Sequence, residues 1–129
     1  MRQSIQQEIQ LNARRDRVYK ALTDSAQFSS VSGGAPARIS PEAGGEFSCF
    51  GGMISGRQIE LIPGQRIVQA WRAGNWEAGV YSIAQFELSD QGSGTLLRFD
   101  HAGFPQGQGE HLEAGWTSNY WEPLKKHFA

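Results

Sequence analysis

The last third of the chain constrains the fold most. Over Gly94–Ala102 the residues alternate, with Thr95, Leu97, Phe99 and His101 on one face and Arg98 and Asp100 on the other. Gly103-Phe104-Pro105-Gln106-Gly107 breaks that pattern. A helix then follows over about Gly109 to His127, with Leu112, Trp116, Tyr120 and Leu124 at spacing four and Trp121 beside them. A long helix with an aromatic face, arriving after a run of strands, has to lie on the sheet those strands make. Bulky side chains on both surfaces can prop that contact open, so the chain reads as a container.

The rest of the sequence supplies the sheet. Ile5, Gln7, Ile9 and Leu11 alternate with Ser4, Gln6, Glu8 and Gln10, the period of a strand with one wet face. Asn12 is the expected cap of a helix from about Arg14 to Thr23 with Val18, Ala21 and Leu22 inward, and Asp24 and Ser25 offer a cap for a short helix carrying Phe28. After Ser32-Gly33-Gly34-Ala35-Pro36, strands are expected over Ala37–Ser40, Glu46–Phe50, Ile54–Ile62 and Arg66–Arg72, punctuated by Gly44-Gly45 and Pro63-Gly64. Val80–Ser89 and Gly94–Ala102 form a hairpin around Asp90-Gln91-Gly92-Ser93. Ile67, Gln69 and Trp71 share one face, as do Val80, Ser82, Ala84, Phe86 and Leu88. Strands clustered together predict an antiparallel α+β fold of six to seven strands, curled around the last helix as a single domain over 1–129. Pro123 is expected to kink that helix.

Composition narrows the partners. The formal net charge is -1 and no Lys/Arg cluster stands out, so neither nucleic acid nor an anionic membrane is expected. The one cysteine, Cys49, excludes an internal disulfide and fits a reducing, cytoplasmic setting. The first eight residues lack an apolar run, so no signal peptide is expected, and no stretch is long enough to span a bilayer.

Several segments, in order, resemble one family: Val18–Asp24, Gly44-Gly45-Glu46-Phe47, Ile59–Val68, Trp71, Asp100–Pro105, Gly115-Trp116 and Tyr120–Lys125. They are similar to the START-like superfamily, also called SRPBCC, and within it to the activator of the ninety-kilodalton heat-shock protein ATPase in its short bacterial form. The resemblance implies a helix-grip fold, with two short helices after the first strand and a cavity between the long helix and the sheet. The chain departs from that pattern in two places. A tryptophan common after the second short helix is missing, with Phe28 or Val31 near its place, and the stretch between Phe50 and Ile54 is very short. The cavity mouth is therefore expected to differ from that of relatives.

The aromatic set Phe47, Trp71, Phe86, Phe99, Phe104, Trp116 and Tyr120 has two readings, a packed core or the wall of a pocket. The resemblance favours the pocket, and a small apolar or aromatic molecule is the expected ligand. Gln69, Ser82, His101 and Tyr120 are its candidate polar groups. His101 is the histidine on a predicted strand; it could act as a base, but no carboxylate is spaced to form a dyad with it, so it reads as a polar anchor and no catalytic residue is assigned. Adjacent Glu110 and His111 point about a hundred degrees apart on a helix, so no metal is expected. Gly33-Gly34 and Gly51-Gly52 lack the Lys-Ser/Thr of a phosphate loop, and no cofactor is expected. The resemblance adds two further functions: a co-chaperone acting on the heat-shock ATPase, and a polyketide cyclase- or aromatase-like enzyme using His101 with Tyr81 or Tyr120. Trp76, read as an exposed aromatic, would mark a dimer face, leaving monomer and homodimer both open.

Overall fold

The computed structural model describes residues 3–129; Met1 and Arg2, part of the N-terminal reading above, lie outside them. The chain runs β1 (Ser4–Leu11), α1 (Arg15–Thr23), α2 (Ser25–Val31), β2 (Arg38–Ile39), β3 (Glu46–Cys49), a 3-10 turn (Phe50–Gly52), β4 (Ile54–Ile62), β5 (Arg66–Ala73), β6 (Ser82–Gln91) and β7 (Gly94–Ala102). It ends in α3 (Gly109–Trp116), a π-helical turn (Thr117–Trp121) and α4 (Glu122–His127), one uninterrupted helical run. The strands form a seven-stranded sheet in the order β1-β7-β6-β5-β4-β3-β2, every pair antiparallel. β2 to β7 form a meander, and β1 closes onto the last strand.

Register turns the alternation of the sequence into layers. Ile67, Phe86 and Phe99 stand abreast on the inner face, as do Gln69, Ala84 and His101. β1 brings Gln7 beside Phe99 and Ile5 beside His101. The outer face carries the complementary row Glu8, Arg98, Glu87, Arg66, in which Arg98 meets Glu8 at 3.1 Å and Arg66 meets Glu87 at 3.0 Å and Glu60 at 3.3 Å. Such exposed pairs add little stability; they keep the back of the sheet wet. The helical run crosses the inner face, α3 and α4 packing on β1 and α2 on α4, while α1 lies on β6 and β7.

Three local expectations are corrected. Asn12 does not cap α1: the N-cap is Arg14, without a side-chain bond, and its carbonyl accepts from Arg17 and Val18 at 3.1 Å. Ala13 instead folds into the core, its carbonyl held at 2.6 Å by the Thr95 hydroxyl, which delays the first turn. Asp24 does cap α2, accepting from the Gln27 amide at 3.0 Å. β6 begins at Ser82 rather than Val80, because the Val80 amide bonds Glu77 in a turn. Trp76 is buried, only 8% exposed, so it is no dimer face.

The C-terminal run owes its buried face to the π turn. In an α-helix, residues five apart point about 140° apart. A turn with i→i+5 bonding brings them onto one side, and here Trp116 and Trp121 stack at 5.7 Å with 20° between ring planes. Trp116, Tyr120, Trp121 and Leu124 are thereby all buried. The wide turn stands immediately before Pro123, where a proline lacks the amide for the next α-helical bond and crowds the carbonyl four residues back. Gln7 on β1 fixes this turn: its Oε1 accepts from the Trp121 indole at 2.7 Å, and its Nε2 donates to the Glu113 carbonyl at 3.5 Å and the Thr117 hydroxyl at 3.4 Å.

Candidate functional site

The aromatic set separates into two environments. Phe86, Phe99 and His101 lie in a closed core under α3, with Phe99 4.2 Å from Trp116 and 5.1 Å from Phe86 between ring centroids. Phe104 is half-buried, its ring 5.2 Å from His101. Phe47 borders a void of about 10 Å³ shared with Cys49, Gln69, Phe86 and Tyr120, at the lower limit for one water. Side chains therefore fill the centre of the sheet-helix contact, where the sequence placed the cavity.

His101 belongs to that filled core, and its bonding sets its chemistry. The Trp116 indole can only donate, so the 2.9 Å contact makes His101 Nδ1 the acceptor. Nε2 then carries the proton and donates to Ser82 Oγ at 2.7 Å. The Ser82 hydroxyl in turn donates a hydrogen bond to the Trp71 carbonyl at 2.8 Å. Both ring nitrogens are occupied and the residue is 0% exposed. Burial depresses its pKa from 6.5 to about 4, keeping the ring neutral. No lone pair faces a substrate, so His101 is a structural anchor. Tyr81, one of the two tyrosines weighed beside it, lies half exposed on the surface against Arg72. Gln69 is likewise paired, donating to Gln58 Oε1 at 3.2 Å while Gln58 donates to the Ser40 carbonyl at 3.2 Å.

The open space lies to one side. A pocket of about 480 Å³ sits between α3 and the ends of β4 and β5. Of the residues singled out in the sequence, Trp71, Trp116 and Tyr120 line it. The remaining apolar wall is Phe50, Met53, Ile54, Ala73, Trp76 and Leu112, and Gln108, His111, Asn75 and Asn119 supply polar side chains. Burial pushes the Tyr120 phenol well above its ordinary range; Cys49 adds to the rise and the nearby Trp71 N–H opposes it. That approach falls short of hydrogen-bond geometry. Among the described residues, Trp71 Nε1 and Trp76 Nε1 are buried side-chain donors without a partner. Cys49 sits behind this wall with its pKa raised to about 12 by burial, an inert thiol.

Two loops shape the pocket mouth. Phe50 takes φ 55°, a left-handed conformation costing a non-glycine residue about 1–2 kcal/mol. Its ring is held 5.6 Å from Phe28 and 5.5 Å from Tyr120, walling the pocket off from a groove beside α2 and α4. Gly51 and Gly52 follow with positive φ, and exposed Met53 forms the lip. The Met53 carbonyl accepts from the Gly74 amide at 2.8 Å, joining this loop to the one after β5. Arg72 holds that second loop, donating to the carbonyls of Trp76 at 2.7 Å, Glu77 at 3.0 Å and Val80 at 3.3 Å. The short Phe50–Ile54 connection stood out in the sequence and forms one side of this mouth, whereas the Trp76 loop, held by Arg72, was not singled out for the pocket.

An antiparallel sheet gripping a long C-terminal helix, with a pocket at one end of the contact, defines a START-like helix-grip protein. Residues 12–129 match the family described as Activator of Hsp90 ATPase homolog 1-like protein, and the chain belongs to it. It is 38% identical over 89 residues to the activator of 90 kDa heat shock protein ATPase homolog of Dictyostelium discoideum, a match covering 68% of this chain and 23% of that protein. The chain thus spans about a quarter of that relative's length. Among solved structures, an HSP90 activator from Plasmodium falciparum superposes with a TM-score of 0.92 at 25% identity, covering 98% of this chain and 96% of the other. The Aha1 dimer from Colwellia psychrerythraea shares the fold, with a TM-score of 0.80 at 18% identity over 97% of this chain and 95% of that one.

Proposed function

We propose that this domain binds a small, mostly apolar molecule in the pocket between α3 and the ends of β4 and β5. The observation that carries the reading is the pocket itself. Its size falls within the roughly 300–1,000 Å³ of ligand sites, its walls are mainly apolar with five large aromatic rings among them, and two buried indole donors on it lack partners. Trp71, Trp116 and Tyr120 form the wall together with Phe50, Trp76 and Leu112. Phe86, Phe99 and His101 support it from behind, and no catalytic role is assigned to His101. The test is a thermal-shift screen of flat apolar compounds, with native mass spectrometry of gently purified protein. A ligand raises the melting temperature by mass action and protects the amides of Gly74, Trp76 and Gly115 from exchange. If no compound shifts the melt and no molecule co-purifies, the reading fails.

A second reading rests on family membership: a co-chaperone module that acts on a ninety-kilodalton heat-shock ATPase, as the names of the relatives describe for those proteins. It predicts a change in the ATPase rate of the purified chaperone when the chain is added, and an unchanged rate removes it. Light scattering decides between monomer and homodimer.

A further inference from the structure

Resting on the pocket reading above, we infer that the ligand is a neutral, flat molecule with an acceptor oxygen of the ketone or quinone type, received by the indole N–H groups of Trp71 and Trp76. The chain has four tryptophans. Trp116 donates to His101 and Trp121 to Gln7, each in the closed core. Trp71 and Trp76 line the pocket, with rings 5.7 Å apart at 64°, and their N–H groups are the buried side-chain donors left unpaired among the described residues. Buried donors are rarely left so, and indole offers a donor and no acceptor. The Trp71 N–H already lies near the Tyr120 hydroxyl, so the weight falls on Trp76, whose missing partner is an acceptor.

Charge and shape narrow it further. No Asp, Glu, Lys or Arg lines the pocket, and apart from Tyr120 its ionisable residue is His111 near the exposed rim, so an ammonium finds no carboxylate there and a carboxylate in the deep end finds no Lys or Arg. Trp71 and Trp76 are buried while Asn75 and Asn119 are exposed. The acceptor end accordingly lies deep and any second polar group faces the mouth. Trp71, Trp76, Trp116 and Tyr120 present ring surfaces, which favour a planar body.

Equilibrium dialysis of the whole protein against three matched probes tests this: 9-fluorenone, fluorene, and 9-fluorenone-2-carboxylate at pH 8. Fluorenone is expected to bind about tenfold tighter than fluorene, the gain from satisfying buried donors, and the carboxylate more weakly than fluorenone. Trp76→Phe, which keeps an aromatic ring but removes the N–H and trims the wall, is expected to weaken both probes and fluorenone the more, so that the gap between them closes. Equal binding of fluorene and fluorenone by the unsubstituted protein overturns the acceptor class but leaves the pocket standing. Tightest binding by the carboxylate overturns neutrality. If no probe is retained, the flat ketone class is overturned, and the pocket reading is left to the thermal-shift and mass-spectrometry test above. Should Trp76→Phe fold poorly, the comparison of probes on the unsubstituted protein decides alone.

Discussion

Acid should destabilise this domain through His101. Folding holds the imidazole neutral, with its pKa lowered by burial from 6.5 to about 4. Its ring neighbours are Trp71, Phe99, Phe104 and Trp116, and its Nε2 partner is Ser82; none of these is a charged group that could compensate a proton. Because the folded value lies below the unfolded one, the unfolded chain binds the proton first. Stability is complete above about pH 6.5 and falls as pH drops toward 4. Integrating one site between those pKa values gives a loss of about 2 kcal/mol from pH 8 to pH 5. Urea melts followed by circular dichroism at intervals of half a pH unit measure it. His101→Gln is expected to be less stable at pH 8, since its amide oxygen and nitrogen do not stand where the ring's Nδ1 and Nε2 do and its smaller volume leaves a void, but nearly flat over the same range. Parallel pH profiles for the two proteins would refute the reasoning. If the variant does not fold, a folded-state imidazole titrating near pH 6.5 by NMR refutes it equally.

Three further outcomes follow from the packing. Gln7→Leu leaves the Trp121 indole without an acceptor and takes a donor from the Thr117 hydroxyl, which keeps its bond to the Glu113 carbonyl, and should cost about 1–3 kcal/mol in urea melts; a double cycle with Trp121→Phe should recover part of that loss. Gly56→Ala places a methyl group against the Ala70 carbonyl and the Phe47 ring, so overpacking should cost about 3 kcal/mol in the same assay. Arg72→Ala frees the carbonyls of Trp76, Glu77 and Val80. Hydrogen exchange should then rise over residues 76–80 with the core amides unchanged, and probe affinity should fall as the Trp76 wall loosens.

The sheet was legible because its inner face alternates strictly: Thr95, Leu97, Phe99 and His101 are all buried. The helix was legible from spacing four, but its π turn was not. Trp121 looked like a flanking residue, and it joins Trp116 only because the turn widens before Pro123 and Gln7 reaches across from β1. Resemblance and periodicity together pointed to a space between helix and sheet. They could not say where side-chain volume would exhaust it. Phe86, Phe99 and Trp116 close the centre, and the opening moves to the end where Phe50 and Trp76 stand apart from the regular strands. Neither residue has a periodic signature: Phe50 sits at positive φ in a 3-10 turn, and Trp76 lies in a loop whose carbonyls are held by an arginine at the end of the preceding strand.

The most direct test of the pocket is the indole region of a ¹H–¹⁵N spectrum, where each of the four tryptophans gives its own signal. On addition of 9-fluorenone the Trp71 and Trp76 indole signals should shift, while that of Trp121, bonded to Gln7 in the closed core, should stay in place. Movement of Trp121 alone, or shifts with Trp71 and Trp76 unmoved, would contradict a binding site at the end of the helix–sheet contact.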